Sequence, residues 1–315
     1  MLNWAVTGGS GWLGGHVLSA SAAVSGADAE RNAIAWGRRR PVAPCDLWMP
    51  VDLLDARSIA DAIAHAPPDV VIHAAGRTPP ASADDLHASN VVATLNLLAA
   101  LRDAARPARV VLAGSAAELG PVPVVDLPVG EAYPARPVEA YGRAKLRATE
   151  AGLAAAAPLE VVVGRVFNPV GPGAPSNQAL GRFARELAQI CRRGATSARL
   201  RVGDLDAKRD FIDVRDVAHA LVALAEKGRA GQVYHIGTGT SRRVGDGLEA
   251  LIRLAGIEVA LDVDPVLIHP DAPRDSRASI AKIQNETGWS PTIAFEASVA
   301  AMWAEAVRAA NFTPT

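Results

Sequence analysis

Two runs, Val70-Val71-Ile72-His73-Ala74-Ala75 and Val161-Val162-Val163-Gly164-Arg165-Val166, are apolar on both alternations. A strand with one wet face alternates polar and apolar residues, so strands of this kind are covered on both sides, as in a parallel sheet between two layers of helices. Five segments have strand character: 2–7, 33–36, 70–73, 109–114 and 160–166. Patterns of helical period fall between them at 12–23, 56–64, 84–105 and 137–157, with loops marked by Pro79-Pro80, Pro121-Val122-Pro123 and Tyr133-Pro134. This alternation predicts an α/β fold built on a doubly wound parallel sheet.

The texture changes after residue 168, where Asn168-Pro169-Val170-Gly171-Pro172-Gly173 precedes a helical pattern over 178–193. Strand signals at 199–202, 232–236 and 258–263 then alternate with helical ones at 214–227, 244–255 and 295–310. The expectation is a dinucleotide-binding domain over 1–167 and a smaller mixed α/β substrate lobe over 168–315. Some of its segments should return to the first sheet, since no stretch has the composition of a flexible linker.

Half of the 315 residues are hydrophobic, 21% are charged and the formal net charge is −1. Disorder is excluded, and no net field draws the chain to nucleic acid or an anionic membrane. Cys45 and Cys191 are the only cysteines, too few for a disulfide framework and in no metal-ligand spacing, so a reducing compartment and no metal site are expected. Apolar periodicity begins at Leu2 without a signal-peptide pattern, and no run nears ~20 uninterrupted apolar residues, which predicts a cytoplasmic chain with no membrane partner.

Thr7-Gly8-Gly9-Ser10-Gly11-Trp12-Leu13-Gly14 joins the first strand to the first helix. Glycine there permits a tight turn, close approach of backbone to a pyrophosphate and close packing of helix on strand, while the helix N-terminus offers free N–H groups. This is a Rossmann-type dinucleotide turn; an ordinary glycine-rich βα turn is the bland alternative. The cofactor-binding candidates are Gly8, Ser10, Gly11, Trp12, Leu13 and Gly14. At the end of the second strand, where an NAD site usually offers an acid, the chain has Trp36-Gly37-Arg38-Arg39-Arg40. Arg38 or Arg39 suits a 2′-phosphate, so NADP(H) is expected over NAD(H), with a solvated basic loop as the rival. Asp52 and Leu53 are placed for the adenine; Asp55 and Ser58 are better helix caps than Asp52. The small residues Ala74, Ala75 and Gly76 let a cofactor lie against the backbone, and His73 reads as a satisfied core histidine.

Tyr141-Gly142-Arg143-Ala144-Lys145 carries the chemistry. Residues four apart share a helix face at about 5–6 Å between Cβ atoms, which sets an ammonium beside a phenol. A phenol normally holds its proton to pH ~10; the Lys145 charge is expected to bring Tyr141 toward working pH. Ser115, ending the 109–114 strand, can hydrogen-bond the same reacting oxygen, and a surface Tyr beside a Lys is the bland alternative.

The ordered set TGGSGWLG, HAAG, GSAAELG, YGRAK and RVFNPVGPG resembles the extended short-chain dehydrogenase/reductases, the nucleotide-sugar epimerase/dehydratase family. Within it, RVFNPVGPG, the stretch from Gly203 through Arg209-Asp210-Phe211-Ile212-Asp213 to Val217, and Thr287-Gly288-Trp289 are most similar to GDP-4-keto-6-deoxy-mannose reductases. The resemblance implies a Ser115, Tyr141 and Lys145 catalytic triad, with Tyr141 and Lys145 also on the cofactor. It also implies that Ser115, Asn168 and Arg209 contact a nucleotide sugar. Arg209 could instead pair with Asp213 or Asp216. Where those reductases carry Arg-Pro this chain has His269-Pro270, and His269 and Arg274 are the substrate candidates there; Leu119 replaces an aromatic residue and Ala93 a glycine.

Dehydratases of the family use carboxylates after the strand-end Ser or Thr, where this chain has Ala116 and Ala117; Glu118, one step on, is expected to point elsewhere. The expected function is NADPH-dependent reduction of a nucleoside-diphospho-4-keto-6-deoxy sugar. A 4-epimerase with resident NAD and a non-catalytic dinucleotide binder are the alternatives. Surplus Ala and Leu on 84–105 and 137–157 suggest a homodimer through a four-helix bundle, as the resemblance also implies.

Overall fold

The computed structural model describes residues 1–23, 31–155, 157–268 and 273–311. The chain begins β1 (Leu2–Thr7), α1 (Trp12–Ala23), β2 (Arg31–Trp36), β3 (Leu47–Met49), α2 (Ala56–His65), β4 (Val70–His73), α3 (Ala83–His87) and α4 (Ala93–Asp103). It continues through β5 (Ala108–Ser115), α5 (Ala140–Leu153), β6 (Leu159–Val166), β7 (Asn168–Val170), α6 (Ala179–Arg192) and β8 (Ser197–Val202). Then come β9 (Lys208–Arg209), β10 (Phe211–Asp213), α7 (Val214–Lys227), β11 (Gln232–Ile236), β12 (Arg242–Arg243) and α8 (Val244–Ala255). The described chain closes with β13 (Glu258–Val263), α9 (Ala281–Thr287) and α10 (Phe295–Asn311).

The main sheet has seven parallel strands in the order β11-β6-β5-β4-β1-β2-β3. It is doubly wound, as the apolar double alternation requires. Val110, Val161 and Val163 pack with Ile59, Leu97 and Leu101 on one face. Their neighbours Val111 and Val162 pack with Leu18, Leu221 and Leu224 on the other. The strand order reverses between β1 and β4, and the crevice outside the carboxyl ends of the strands opens there. β11 lies far along the chain yet pairs with β6.

Around a separate cluster containing Phe183, Leu187, Leu251, Val299 and Met302, helices α6, α8 and α10 pack together. Three strand pairs, β7 with β10, β8 with β13 and β9 with β12, complete this lobe. The sequence did not disclose β3, β7, β9 or β12, because runs of two or three residues have no measurable period. The predicted single helix over 84–105 is α3, a π-helical turn at Ala88–Val92, and α4. Its start is capped by Ser82, whose side chain accepts from the Asp85 N–H. At the wide turn, Asn90 Nδ2 donates to Arg77 O (3.0 Å) and Leu86 O (2.9 Å), tying the helix to the loop after β4.

The glycine turn is closely packed. Gly11 N–H donates to Gly8 O (2.8 Å), and Gly8 has φ +73°, a conformation that glycine adopts freely. A Cβ on Gly8 would lie 2.8 Å from the Ala75 backbone, and one on Gly14 would lie 2.1 Å from Gly8 O. The Gly14→Ala variant should therefore lose about 1–3 kcal/mol of stability and, with it, affinity for dinucleotide. Thermal denaturation and cofactor titration measure both; unchanged values would show that the turn can yield.

His73 is buried and fully bonded. Thr94 Oγ1–H donates to Asn90 O (2.7 Å), so it accepts from His73 Nε2–H (3.0 Å), and His73 Nδ1 then accepts from Thr7 Oγ1–H (2.8 Å). Burial lowers His73 from 6.5 to about 3, with the Lys145 charge adding to the effect; burial does the same to His235, helped by the Arg165 charge. Between pH 6.5 and 3 the unfolded chain takes up protons that the native histidines refuse, so stability falls as pH drops through that window. Denaturant midpoints should be lower at pH 5 than at pH 7, and the decline should be shallower in a His235→Gln variant.

Candidate active site

A cavity of about 1890 Å³ lies over the carboxyl ends of the main-sheet strands, with the second lobe as its far wall. A typical small-molecule site occupies roughly 300–1,000 Å³, so this one has room for two ligands side by side. Gly8, Ser10, Gly11, Trp12, Leu13 and Gly14 form one end of its wall. Arg38 and Arg39 stand exposed beside them. Asp52, Leu53, Ala74, Ala75 and Gly76 complete that side. Asp52 Oδ1 accepts from Leu54 N–H (3.0 Å), whereas Asp55 caps α2. The close approach of Gly8 to Ala75 and of Gly14 to Gly8 leaves bare backbone along the cavity, which fits the pyrophosphate of a dinucleotide. Trp12 Nε1–H also donates to Pro172 O (2.6 Å), fastening the turn to the second lobe, a contact with no signal in the sequence.

Ser115, Tyr141 and Lys145 line the same cavity. Ser115 ends β5 and caps the 3-10 turn Ala116–Glu118: its Oγ accepts from Ala117 N–H (3.2 Å), and its own N–H donates to Glu118 Oε1 (2.7 Å). Tyr141 lies in the first turn of α5, with Lys145 one turn on, where its Nζ donates to Ala113 O. The helix can pass this near because Gly142 has no side chain; a Cβ there would lie 2.3 Å from Ala117 O. Sequence reasoning passed over Gly142, although a glycine inside a helix pattern is itself a sign of close packing.

Burial pushes the Tyr141 phenol up to about 12, a Ser115 hydrogen bond pulls the other way, and the Glu118 charge adds to the rise. The expected lowering by Lys145 does not prevail in the protein alone. Desolvation penalises the phenolate more than a lysine bonded to a backbone carbonyl can offset, and burial lowers Lys145 as well. Glu118 does not face the cavity. It is fully buried and its Oε2 accepts from Arg165 Nε (3.1 Å) and Nη2 (2.9 Å).

On the far wall, Asn168 and Arg209 line the cavity. Arg209 Nη1 donates to Lys208 O (2.8 Å) and Pro273 O (2.7 Å). The rival pairing is absent, since Asp213 forms a bidentate pair with Arg215 and Asp216 accepts from Thr292 and Ile293. Arg274 is exposed and outside the lining; its carbonyl accepts from Lys208 N–H (2.8 Å) while Pro273, Asp275 and Ser276 reach the cavity. His269 lies outside the described residues. Leu119, Leu127, Val129 and Phe167 make an apolar wall near Ser115, so the leucine that replaces an aromatic residue packs into this surface.

Residues 4–237 match the model of the NAD dependent epimerase/dehydratase family. GDP-6-deoxy-D-mannose reductase of Pseudomonas aeruginosa is 32% identical over 312 residues, spanning 96% of this chain and 97% of that protein. A dTDP-6-deoxy-L-talose 4-dehydrogenase (NAD(P)(+)) of Kitasatospora kifunensis is 30% identical over 95% of this chain and 94% of its own. Among solved structures, RMD from Pseudomonas aeruginosa complexed with NADPH superposes with a TM-score of 0.84 at 30% identity, over 98% of this chain and 100% of that one. With the glycine turn, the seven parallel strands and the Ser115, Tyr141 and Lys145 set on one cavity, the chain belongs to the NAD dependent epimerase/dehydratase family.

Proposed function

We propose that this chain is an NADPH-dependent reductase of a nucleoside-diphospho-4-keto-6-deoxy sugar. The observation that carries the reading is the Tyr141 phenol on the cavity wall with Ser115, where burial favours its protonated form, while the nearest carboxylate of the strand-end turn, Glu118, is buried in an ion pair. A phenol that keeps its proton at neutral pH has one to give to the oxygen of a ketone being reduced. Dehydration needs a free carboxylate, and Ala116 and Ala117 occupy the positions that would supply it. The reductase named among the relatives, similar over nearly its whole length, supports the same direction.

The residues divide the work. Tyr141 gives its phenolic proton to the keto oxygen as charge builds there. Ser115 Oγ–H donates a hydrogen bond to that oxygen and holds the carbonyl in line. Lys145 stands as a cation one turn from the phenolate that Tyr141 becomes, and with Tyr141 it would hold the nicotinamide ribose. Gly8, Gly11 and Gly14 would hold the pyrophosphate, Asp52 the adenine, and Arg38 or Arg39 the 2′-phosphate. The bound cofactor supplies the hydride for the keto carbon. Asn168 and Arg209 orient the substrate through its nucleotide, which converts remote binding into alignment at the carbonyl. We also place a second copy of the chain against α4 and α5, on which Leu95 and Leu153 are exposed.

Product analysis with NADPH and a small panel of activated keto sugars tests the reaction; hydroxyl products at the keto carbon are expected. A Tyr141→Phe variant should fold, bind NADPH as before and lose turnover about a hundredfold or more, and one that keeps most of its turnover refutes the assignment. Arg38→Ala with Arg39→Ala should weaken NADPH and leave NADH unchanged in a binding titration; equal affinity of the unaltered protein for both cofactors overturns the NADPH preference. A monomeric sedimentation profile at micromolar concentration overturns the dimer.

A further inference from the structure

We propose that Glu118 is a positioning residue of this site: its buried carboxylate anchors Ser115 and sets a negative charge behind the Tyr141 and Lys145 pair. This deepens the reductase reading and rests on it for the catalytic consequence alone.

The geometry begins at the end of β5. Glu118 Oε1 accepts from Ser115 N–H (2.7 Å), and Lys145 Nζ donates to Ala113 O two residues earlier, so carboxylate and ammonium are fastened to the same last residues of the strand. A Cβ on the intervening Gly114 would lie 2.7 Å from Glu118 Oε1. Arg165 lies between Gly114 and His235 across three adjacent strands, which aims its guanidinium at Glu118 from one side. Its Nη1 donates to His235 Nε2 (3.3 Å), and His235 Nδ1–H donates to Val129 O (3.1 Å). Val129 pairs in turn with 277–279, since its N–H donates to Arg277 O (3.0 Å) and its carbonyl accepts from Ser279 N–H (2.7 Å). Ala278 N–H donates to Asp210 Oδ2 (3.0 Å), beside Arg209. A continuous chain of hydrogen bonds and backbone links thus runs from Ser115 to the cation at the nucleotide end of the cavity.

A buried ion pair is a poor source of stability, because apolar residues of the same volume often serve as well or better. An apolar pair could not accept the Ser115 N–H, and it could not face α5 with a charge. Ser115 and Glu118, from β5 and its turn, act on the phenol; Lys145 on α5 feels the same Glu118 charge and itself faces neutral His73 from β4, while Arg165 from β6 is bonded to Glu118 Oε2. The Glu118 charge raises both Tyr141 and Lys145. Its removal must lower both, so the loss of rate on the alkaline side begins at lower pH.

The test compares Glu118→Gln and the paired replacement Glu118→Leu with Arg165→Met against the unaltered protein. With keto sugar and NADPH, both should lose kcat about tenfold or more with NADPH affinity retained, and the alkaline limb of kcat should move down by roughly one pH unit. A role in stability alone would lower Tm and leave the limb in place. The ultraviolet titration of the phenol in ligand-free protein reads the charge effect without any substrate. The chain has three tyrosines, and Tyr141→Phe supplies the blank. The Tyr141 transition should begin at lower pH in both replacements. The paired replacement leaves no buried charge uncompensated and carries the test if Glu118→Gln does not fold. Unaltered kcat and an unaltered limb overturn the proposal, as does an unmoved phenol titration even if no keto sugar is turned over.

Discussion

Everything at the site depends on how near α5 passes to the end of β5. A Cβ on Gly142 would lie 2.3 Å from Ala117 O, Lys145 bonds to Ala113 O, and Tyr141 then meets Ser115 at the cavity wall. A methyl group at residue 142 would have to displace the Ala117 carbonyl, in the 3-10 turn that the Ser115 and Glu118 side chains brace. The same economy of atoms operates at the other end of the cavity, where Gly8 and Gly14 let α1 start directly against β1 and β4. Close backbone packing is thus what leaves room on the open side for ligands.

Burial then sets the charges. In a medium that solvates ions poorly, each titratable group either loses its charge or finds a partner. His73 and His235 stay neutral, Glu118 and Arg165 pair, and Tyr141 retains its proton. The proposed reduction of a ketone uses a proton donor, and desolvation keeps Tyr141 in its protonated form. Lys145 meets the same burial by donating from Nζ to Ala113 O.

The second lobe contributes by position. Trp12 reaches Pro172, and Arg209 is held by the carbonyls of Lys208 and Pro273, so hydrogen-bonded contacts fix the far wall of the cavity relative to the glycine turn. Asp213, which competed on paper for Arg209, is taken by Arg215 two residues away and caps α7. Arg209 is left lining the cavity, with no carboxylate among the described residues within ion-pair distance.

What was legible from the sequence is local. The double apolar alternation determined the buried parallel strands, the spacing of Gly8, Gly11 and Gly14 determined the turn, and the four-residue spacing of Tyr141 and Lys145 placed both on one helix face, because each relation is closed within a few residues of chain. The tertiary structure decided the rest. Strands of two or three residues exist only through their partners, and the π-helical turn at Ala88–Val92 lies where Asn90 meets the loop after β4. Arg274 is exposed and outside the cavity lining that Pro273, Asp275 and Ser276 join. The phenol rises where the Tyr-Lys spacing suggested it would fall, and Glu118 finds Arg165 47 residues away. Desolvation and pairing depend on what the fold brings up from distant parts of the chain, and no local pattern of residues carries that information.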